Sequence, residues 1–188
     1  MTAVHLKHDW FPRPLPKNIH LGERTWLHSA YAFAHYGSRA AIGLRVGSDT
    51  GLYPGTFFDL GPDGQVAIGN FCSLVGAIFM TNGRVTIGDY TFIAHEVVIA
   101  DSDWATPNMN GAIDQRSPAT PRTGNSIEIG PNVWIGTQAI LLGNLRIGEG
   151  SIIGAGTLVT HDVPPYAVCA GNPMRVLKTI PRCEDSPG

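Results

Sequence analysis

The sequence predicts an all-β fold, a parallel β-helix, on three observations. Aliphatic residues recur with a period of six at Ile129, Ile135, Leu141, Ile147, Ile153 and Val159. Gly130, Gly136, Gly148 and Gly154 directly follow four of them. Small or branched residues stand four positions on, at Val133, Ala139, Leu145, Ser151, Thr157 and Val163. An α-helix repeats its apolar face about every 3.6 residues and a strand every second residue, so neither fits. A period of six fits a short extended stretch, a tight corner and another stretch. Three such sides close one turn of a triangular prism, and stacked turns pair as parallel strands around an aliphatic column. The competing arrangement is a β-sandwich with evenly spaced strands, which the unbroken in-phase run over residues 127–165 disfavours.

From the N-terminus, residues 1–18 carry Pro12, Pro14 and Pro16 and form an extended arm. A single domain is expected over 19–180. Over 19–36 the pattern is weak. Leu21, Leu27 and Phe33 fit a ragged first coil, and Trp26, Tyr31, Phe33 and Tyr36 are expected to cover the open end of the prism. Ile42 and Val46, each followed by Gly, suggest an early, less regular coil. Residues 52–62, rich in aromatics, Gly and Pro, read as an end coil with wide corners. Ile68 and Leu74 repeat in a phase shifted from Ile87, Ile93 and Ile99, so one residue is added between 74 and 87, with Asn82 and Gly83 the place for a bulge. Residues 102–126 break the repeat with Pro107, Asn108, Asn110, Gly111, Pro118, Pro121 and Gly124. Loops of that length are uncommon and often functional. Val176, Leu177 and Ile180 have the spacing of a short C-terminal helix that Pro181 would stop, leaving 181–188 as a tail.

Composition narrows the function classes. The 188 residues are long enough for a sizeable core, only 15% are charged, and 23 are Gly, which suits a tightly cornered solenoid and not a disordered chain. A net charge of −2 without a basic stripe argues against nucleic acid and anionic membrane as partners. No signal-peptide run or membrane span is visible, so a cytoplasmic location is expected. Cys72, Cys169 and Cys183 have no motif spacing, and Cys72 falls on a small inward position, as expected of a buried thiol in a reducing compartment.

Several stretches together carry a resemblance. They are Val133, Trp134, Ile135 and Gly136; then Ile147 and Gly148; then Ile153, Gly154, Ala155 and Gly156; then the run from Val159 through Thr160, His161, Asp162, Val163, Pro164, Pro165, Tyr166 and Ala167 to Val168; and Ala170, Gly171, Asn172 and Pro173. The chain resembles the hexapeptide-repeat acyltransferases, in the branch of the maltose, galactoside and xenobiotic acetyltransferases. The resemblance covers residues 64–180 well and the first 60 poorly. It implies a left-handed parallel β-helix, a homotrimer, and acyl transfer from coenzyme A, with acetyl-coenzyme A as co-substrate, in clefts between prisms. It implies cofactor contacts at Gly136, Ala155, Thr160 and Ala170. It further places Gly171, Asn172, Pro173, Arg175 and Lys178 near the nucleotide end. His161 stands where the family commonly has Lys, removing a charge at neutral pH.

Acyl transfer from a thioester to a hydroxyl needs a base for the acceptor proton, a donor for the oxyanion and close placement of both reactants. Many family members supply the base as a His at the start of the interrupting loop. Here Asp101, Ser102, Asp103, Trp104 and Ala105 occupy that region, without a His. Three alternatives stay open. His95, at a corner position beside Glu96, is the first choice for base, with Glu96 or a loop Asp such as Asp103 orienting it. Asp101 or Asp103 could act directly if burial raised its pKa. An amine acceptor would need less help. His35 is a more distant choice, and His5, His8, His20 and His28 carry no spacing signal. Trp104 and Trp134 could wall the acceptor, and Trp134 could equally pack between chains. Two other classes compete. A zinc enzyme on the same solenoid would need three His, whereas His95 has none nearby on its coil, so no metal is expected. A β-helix scaffold or binding protein that lost catalysis with the loop His is the second.

Overall fold

In the computed structural model, described over residues 5–101 and 125–181, the short apolar stretches stack into three parallel sheets. One sheet runs β1 (Ile19–Leu21), β3 (Leu44–Val46), β6 (Gln65–Ile68), β9 (Arg84–Ile87), β12 (Ser126–Ile129) and β15 (Leu145–Ile147). A second runs β2 (Trp26–Leu27), β4 (Gly51–Tyr53), β7 (Ser73–Val75), β10 (Phe92–Ile93), β13 (Trp134–Ile135), β16 (Ile152–Ile153), β18 (Ala167–Ala170) and β19 (Arg175–Thr179). The third runs β5 (Phe57–Leu60), β8 (Ile78–Thr81), β11 (Val98–Ala100), β14 (Ile140–Leu142) and β17 (Leu158–Val159). Consecutive stretches go to successive sheets, so each circuit of the chain is one coil of a left-handed parallel β-helix.

The six-residue phase becomes register. Ile87, Ile129 and Ile147 align across the first sheet, Ile93, Ile135, Ile153 and Cys169 across the second, and Ile99, Leu141 and Val159 across the third. None of these side chains is more than 4% exposed. The small positions point inward too, where the walls converge at the corners. Thr91, Ser151 and Thr157 are buried there, and each hydroxyl donates to a backbone carbonyl (Gly130, Pro164 and Gly154), so these three hydroxyls are paired. At the N-terminal end Phe33, Phe58 and Phe79 stack at 5.4 and 4.9 Å and widen the column.

Four expectations change in detail. The net shift of one residue is made of two changes: the step from Leu74 to Phe79 is one residue shorter than the six-residue repeat, and the path from Phe79 to Ile87 is two residues longer than it. The surplus is taken up around Thr81, Asn82 and Gly83, and a fully buried Asn82 accepts from the Asp63 amide there. Residues 52–62 form the second coil, not an end coil. Of the aromatics expected to cover the prism end, Phe33 is buried but Trp26 and Tyr31 are exposed, and Trp26 stacks on His8 of the arm at 4.7 Å. Lastly, the predicted C-terminal helix is the strand β19, antiparallel to β18. An edge strand leaves a row of unpaired amides and carbonyls. The chain reverses at Gly171 (φ 102°) and covers that edge, and this outweighs the weak helical spacing of exposed Val176 and Leu177.

Candidate functional site

Corners of the prism, not its faces, hold the residues with chemistry. After β10 the chain turns through Ala94, His95, Glu96 and Val97, with Glu96 in the left-handed region at φ 58°. That conformation turns the backbone sharply and leaves His95 and Glu96 exposed at the prism edge. The corner is tied to both neighbours: the Glu96 amide donates to Gly76 O (3.1 Å), and the Gln138 amide donates to His95 O (2.9 Å). Glu96 does not orient His95 through a hydrogen bond among the described residues. Its carboxylate instead accepts from Gln138 Nε2 at 2.8 Å. The His95 imidazole lines an open groove of about 460 Å³ with Tyr53, Pro54, Ser73 and Val75.

The same edge continues through the residues implied as cofactor contacts. The Gly156 amide donates to Thr137 O (2.9 Å), so the corners bearing Thr137 and Gly156 stack on the His95 corner. Gly136 sits so close to the next coil that a Cβ there would lie 2.7 Å from the Ala155 nitrogen. Its own amide is used, donating to Ile153 O at 2.8 Å, while the Ala155 amide takes no part in the inter-coil bonds of this edge. Ala170 lies one coil further, 3.0 Å from where a Cβ on Gly154 would be, and Gly171 O accepts from Leu158 N at 3.1 Å. Successive coils lie about 4.8 Å apart. His95, Ala155 and Gly171 therefore occupy one straight edge spanning roughly 15 Å.

Gly171, Asn172 and Pro173 form the exposed turn between β18 and β19. Arg175 is opposite Ala170, and Lys178 is opposite Val168, so both basic side chains share the outer face of the second sheet. Both are exposed. Thr160 and His161 are exposed after β17, on the other side of the last coil. The outer face of the second sheet also carries exposed Phe92 and Trp134, adjacent across β10 and β13 with ring centroids 6.5 Å apart.

Asp101 is not an open base. It is 1% exposed, and one carboxylate oxygen accepts from the Thr81 hydroxyl and the Gly83 amide (2.7 Å for the amide). Asn125 Nδ2 donates to Asp101 O at 2.7 Å, joining the two ends of the interruption. Asp103 and Trp104 lie outside the described residues. Burial pushes the Cys72 thiol up, with the nearby Asp89 charge adding to it, and burial likewise raises Cys169, so neither is a poised nucleophile. No cluster of three metal-ligating side chains occurs among the described residues.

A cavity of about 260 Å³ at the N-terminal end, lined in part by Trp10, Tyr31 and Phe57, was not legible in the sequence, because those residues are far apart in the chain.

The sequence profile described as "Bacterial transferase hexapeptide (six repeats)" matches residues 126–161. A chloramphenicol acetyltransferase from Klebsiella aerogenes is 34% identical over 149 residues, 69% of this chain and 62% of that one. The galactoside O-acetyltransferase of Escherichia coli K12 is 34% identical over 139 residues, covering 72% of this chain and 63% of that one. The chain thus spans less than two thirds of the length of either relative. Among solved structures, a hexapeptide-repeat acetyltransferase from Vibrio cholerae complexed with acetyl-coenzyme A superposes with a TM-score of 0.61 at 20% identity, over 80% of this chain and 75% of that one. An N-acyltransferase from Bacillus cereus, a mutant in complex with dTDP and coenzyme A, gives 0.62 at 18% identity, over 90% and 81%. The period, the stacked register and these relatives agree: over residues 126–161 the chain carries the transferase hexapeptide repeat, and it is similar to acetyltransferases built on that repeat.

Proposed function

We propose that this protein transfers an acyl group, acetyl first among them, from coenzyme A to a hydroxyl or amino group of a sugar or other small metabolite. The observation that carries this reading is the single prism edge on which exposed His95 is aligned with Ala155 and the turn after Ala170. A straight edge suits a long, narrow acyl carrier laid along it. The acyl end then lies towards His95, and the nucleotide end towards Arg175 and Lys178, whose charges suit phosphates. Gly136, Asn172 and Pro173 complete the proposed cofactor contacts, and Thr160, on the other side of the last coil, is not brought to this edge. The two 34% identical relatives are both named as acetyltransferases, which supports the same reaction class.

In the proposed step the acceptor oxygen or nitrogen bonds to the thioester carbonyl carbon while the His95 imidazole takes its proton. The tetrahedral oxyanion collapses, the carbon–sulfur bond breaks, and the imidazolium returns the proton to the departing thiolate. Nothing is oxidised or reduced, and no metal is called for. Glu96, bound to Gln138, fixes the corner that carries His95 and does not touch the acceptor. Asp103 remains an alternative orienting group.

The working assembly we propose is a homotrimer, because the flat outer face with exposed Phe92 and Trp134 suits burial against a second prism. A cytoplasmic location fits the free, buried Cys72 and Cys169.

The test is turnover of acetyl-coenzyme A by the full chain with a panel of sugars, alcohols and amines, following thiol release and product mass. Turnover that falls by about a hundredfold or more in His95→Ala, with coenzyme A binding retained, is expected of a general base. Coenzyme A binding with no turnover on any acceptor would replace the enzyme with a binding protein.

A further inference from the structure

The outer face of the first sheet is polar, and its charges are unevenly matched. Across it, at one register, stand His20, Arg45, Ala67, Thr86, Glu128 and Arg146. At the far end Arg146 has its carboxylate, with Glu128 at 2.8 Å. Arg45 has none, and neither has Arg84, which is in register with Gln65 two residues before that row. Among the described residues neither guanidinium forms an ion pair or a side-chain hydrogen bond, and both side chains are exposed. The two arginines wall one hollow of about 200 Å³, together with Ile42, Gln65 and Ala67. The hollow is open because Ala67 sets only a methyl group between the coils that carry Arg45 and Arg84.

We propose that this hollow binds a small dicarboxylate of four or five carbons, with one carboxylate on Arg45 and the other on Arg84. Spacing is the first reason. The two arginines stand two strands apart and two residues apart along them, which separates their Cα atoms by about 12 Å. Side chains stand roughly perpendicular to a sheet, so the guanidiniums keep a similar separation. An extended four-carbon diacid with a bidentate fork closed on each end spans the same distance, whereas a monoacid or a single phosphate reaches one fork only. Donor chemistry is the second reason. The planar guanidinium matches a carboxylate bidentately and is weakly hydrated, which suits pairing in a partly enclosed site. The Arg146–Glu128 pair is the same recognition on the same face, with the carboxylate supplied by the chain. The lining is the third. Ile42 and Ala67 are apolar and take the methylenes between the two carboxylates, and the Gln65 amide, beside Arg84, is a further donor. No Asp or Glu among the described residues lines the hollow to occupy the forks in the ligand's place.

The site is separate from the proposed acyl-transfer edge. His95 stands at the corner between the second and third sheets, and the hollow lies on the first. The inference therefore does not rest on the acyl-transfer reading. Its reach into the molecule runs through β9. The Arg84 amide donates to Asn125 O at 3.1 Å, and the amide of neighbouring Gly83 donates to Asp101. A diacid held by Arg84 braces the base of the interruption, so it acts on the scaffold as an effector and not as a reactant.

The probe is succinate, titrated calorimetrically into the full chain at constant ionic strength and without coenzyme A. Saturable binding is expected, weakened about tenfold or more by Arg45→Gln and equally by Arg84→Gln, the range for losing a charged hydrogen-bonding partner. Ala67→Leu keeps every charge but fills the hollow, and is expected to abolish binding. Thermal melts check that the three variants fold. Acetate and inorganic phosphate are the comparison ligands, each expected to bind about tenfold more weakly or worse. Succinate binding that is absent up to about 10 mM, matched by acetate, exceeded by phosphate, or insensitive to the substitutions overturns the proposal. Acetyl-coenzyme A binding in saturating succinate separates the two readings. Unchanged affinity is expected. Competition would move succinate to the coenzyme A site and overturn this proposal while leaving acyl transfer standing.

Discussion

At the scale of single residues, position on the prism decides chemical fate. His95 and Asp101 lie six residues apart in the chain, yet one is exposed at an edge and the other is sealed in the interior. Asp101→Asn is expected to loosen the base of the interruption, because the Thr81 hydroxyl and Gly83 amide both donate to one carboxylate oxygen. The loss should appear as faster hydrogen exchange at Gly83 and Asn125. The thiols give a sharper check. Cys72 and Cys169 are 3% and 0% exposed, and burial raises both pKa values. Iodoacetamide at pH 8 is expected to leave both unmodified in the native protein and to alkylate both in denaturant, as read by peptide mass mapping. Asp9, whose carboxylate holds the arm to Ser29 and Ala30, adds a pH signature. Burial pushes its carboxyl up, but hydrogen bonds from Phe11, Ala30 and Ser29 outweigh this and hold it below the ordinary value. A depressed folded-state pKa contributes stability above the unfolded value of about 3.9 and loses it as pH falls through the folded one. The arm is therefore expected to stay docked at neutral pH and to release only in acid, below the ordinary carboxylate range, with a change in Trp10 fluorescence that is already present at neutral pH in Asp9→Ala.

At the scale of elements, the repeat was legible wherever each coil obeyed the same geometry. Ile129 to Val159 were readable as inward positions because the coils over that stretch repeat the same corners and the buried column follows them; the next corner is shorter, and Val163 aligns with Ile147. The first two coils were hard to read, because Phe33 and Phe58 replace aliphatic residues there and the corners vary in length. β19 was misread because its role is to satisfy the open edge of β18, a tertiary demand that no local spacing reports. Of the site, the alignment of Ala155 with Ala170 was implied by resemblance. The Gln138 contact to Glu96 was not, because those residues are neighbours only after the coils stack. Gly136 gives a test at this scale. A Cβ there meets the Ala155 nitrogen at 2.7 Å, so Gly136→Val is expected to push adjacent coils apart. The loss of about 1–3 kcal/mol typical of overpacking would be read from denaturant melts, with weakened coenzyme A binding alongside it.

At the scale of the whole molecule, a solenoid buries one column and leaves three flat faces. Phe92 and Trp134 are 43% and 54% exposed on one of them. Sedimentation equilibrium is expected to give three chains of 20.1 kDa, and Trp134→Glu, which sets a charge in that face, is expected to shift the mass towards the single chain. The edge beside that face is the proposed seat of coenzyme A, and a crystal structure of the protein with acetyl-coenzyme A is the decisive experiment. Pantetheine is expected along the Gly136, Ala155 and Gly171 edge, with the thioester carbonyl directed at the groove of His95 and the phosphates near Arg175 and Lys178. Coenzyme A bound on another face, or a thioester remote from His95, rules this arrangement out.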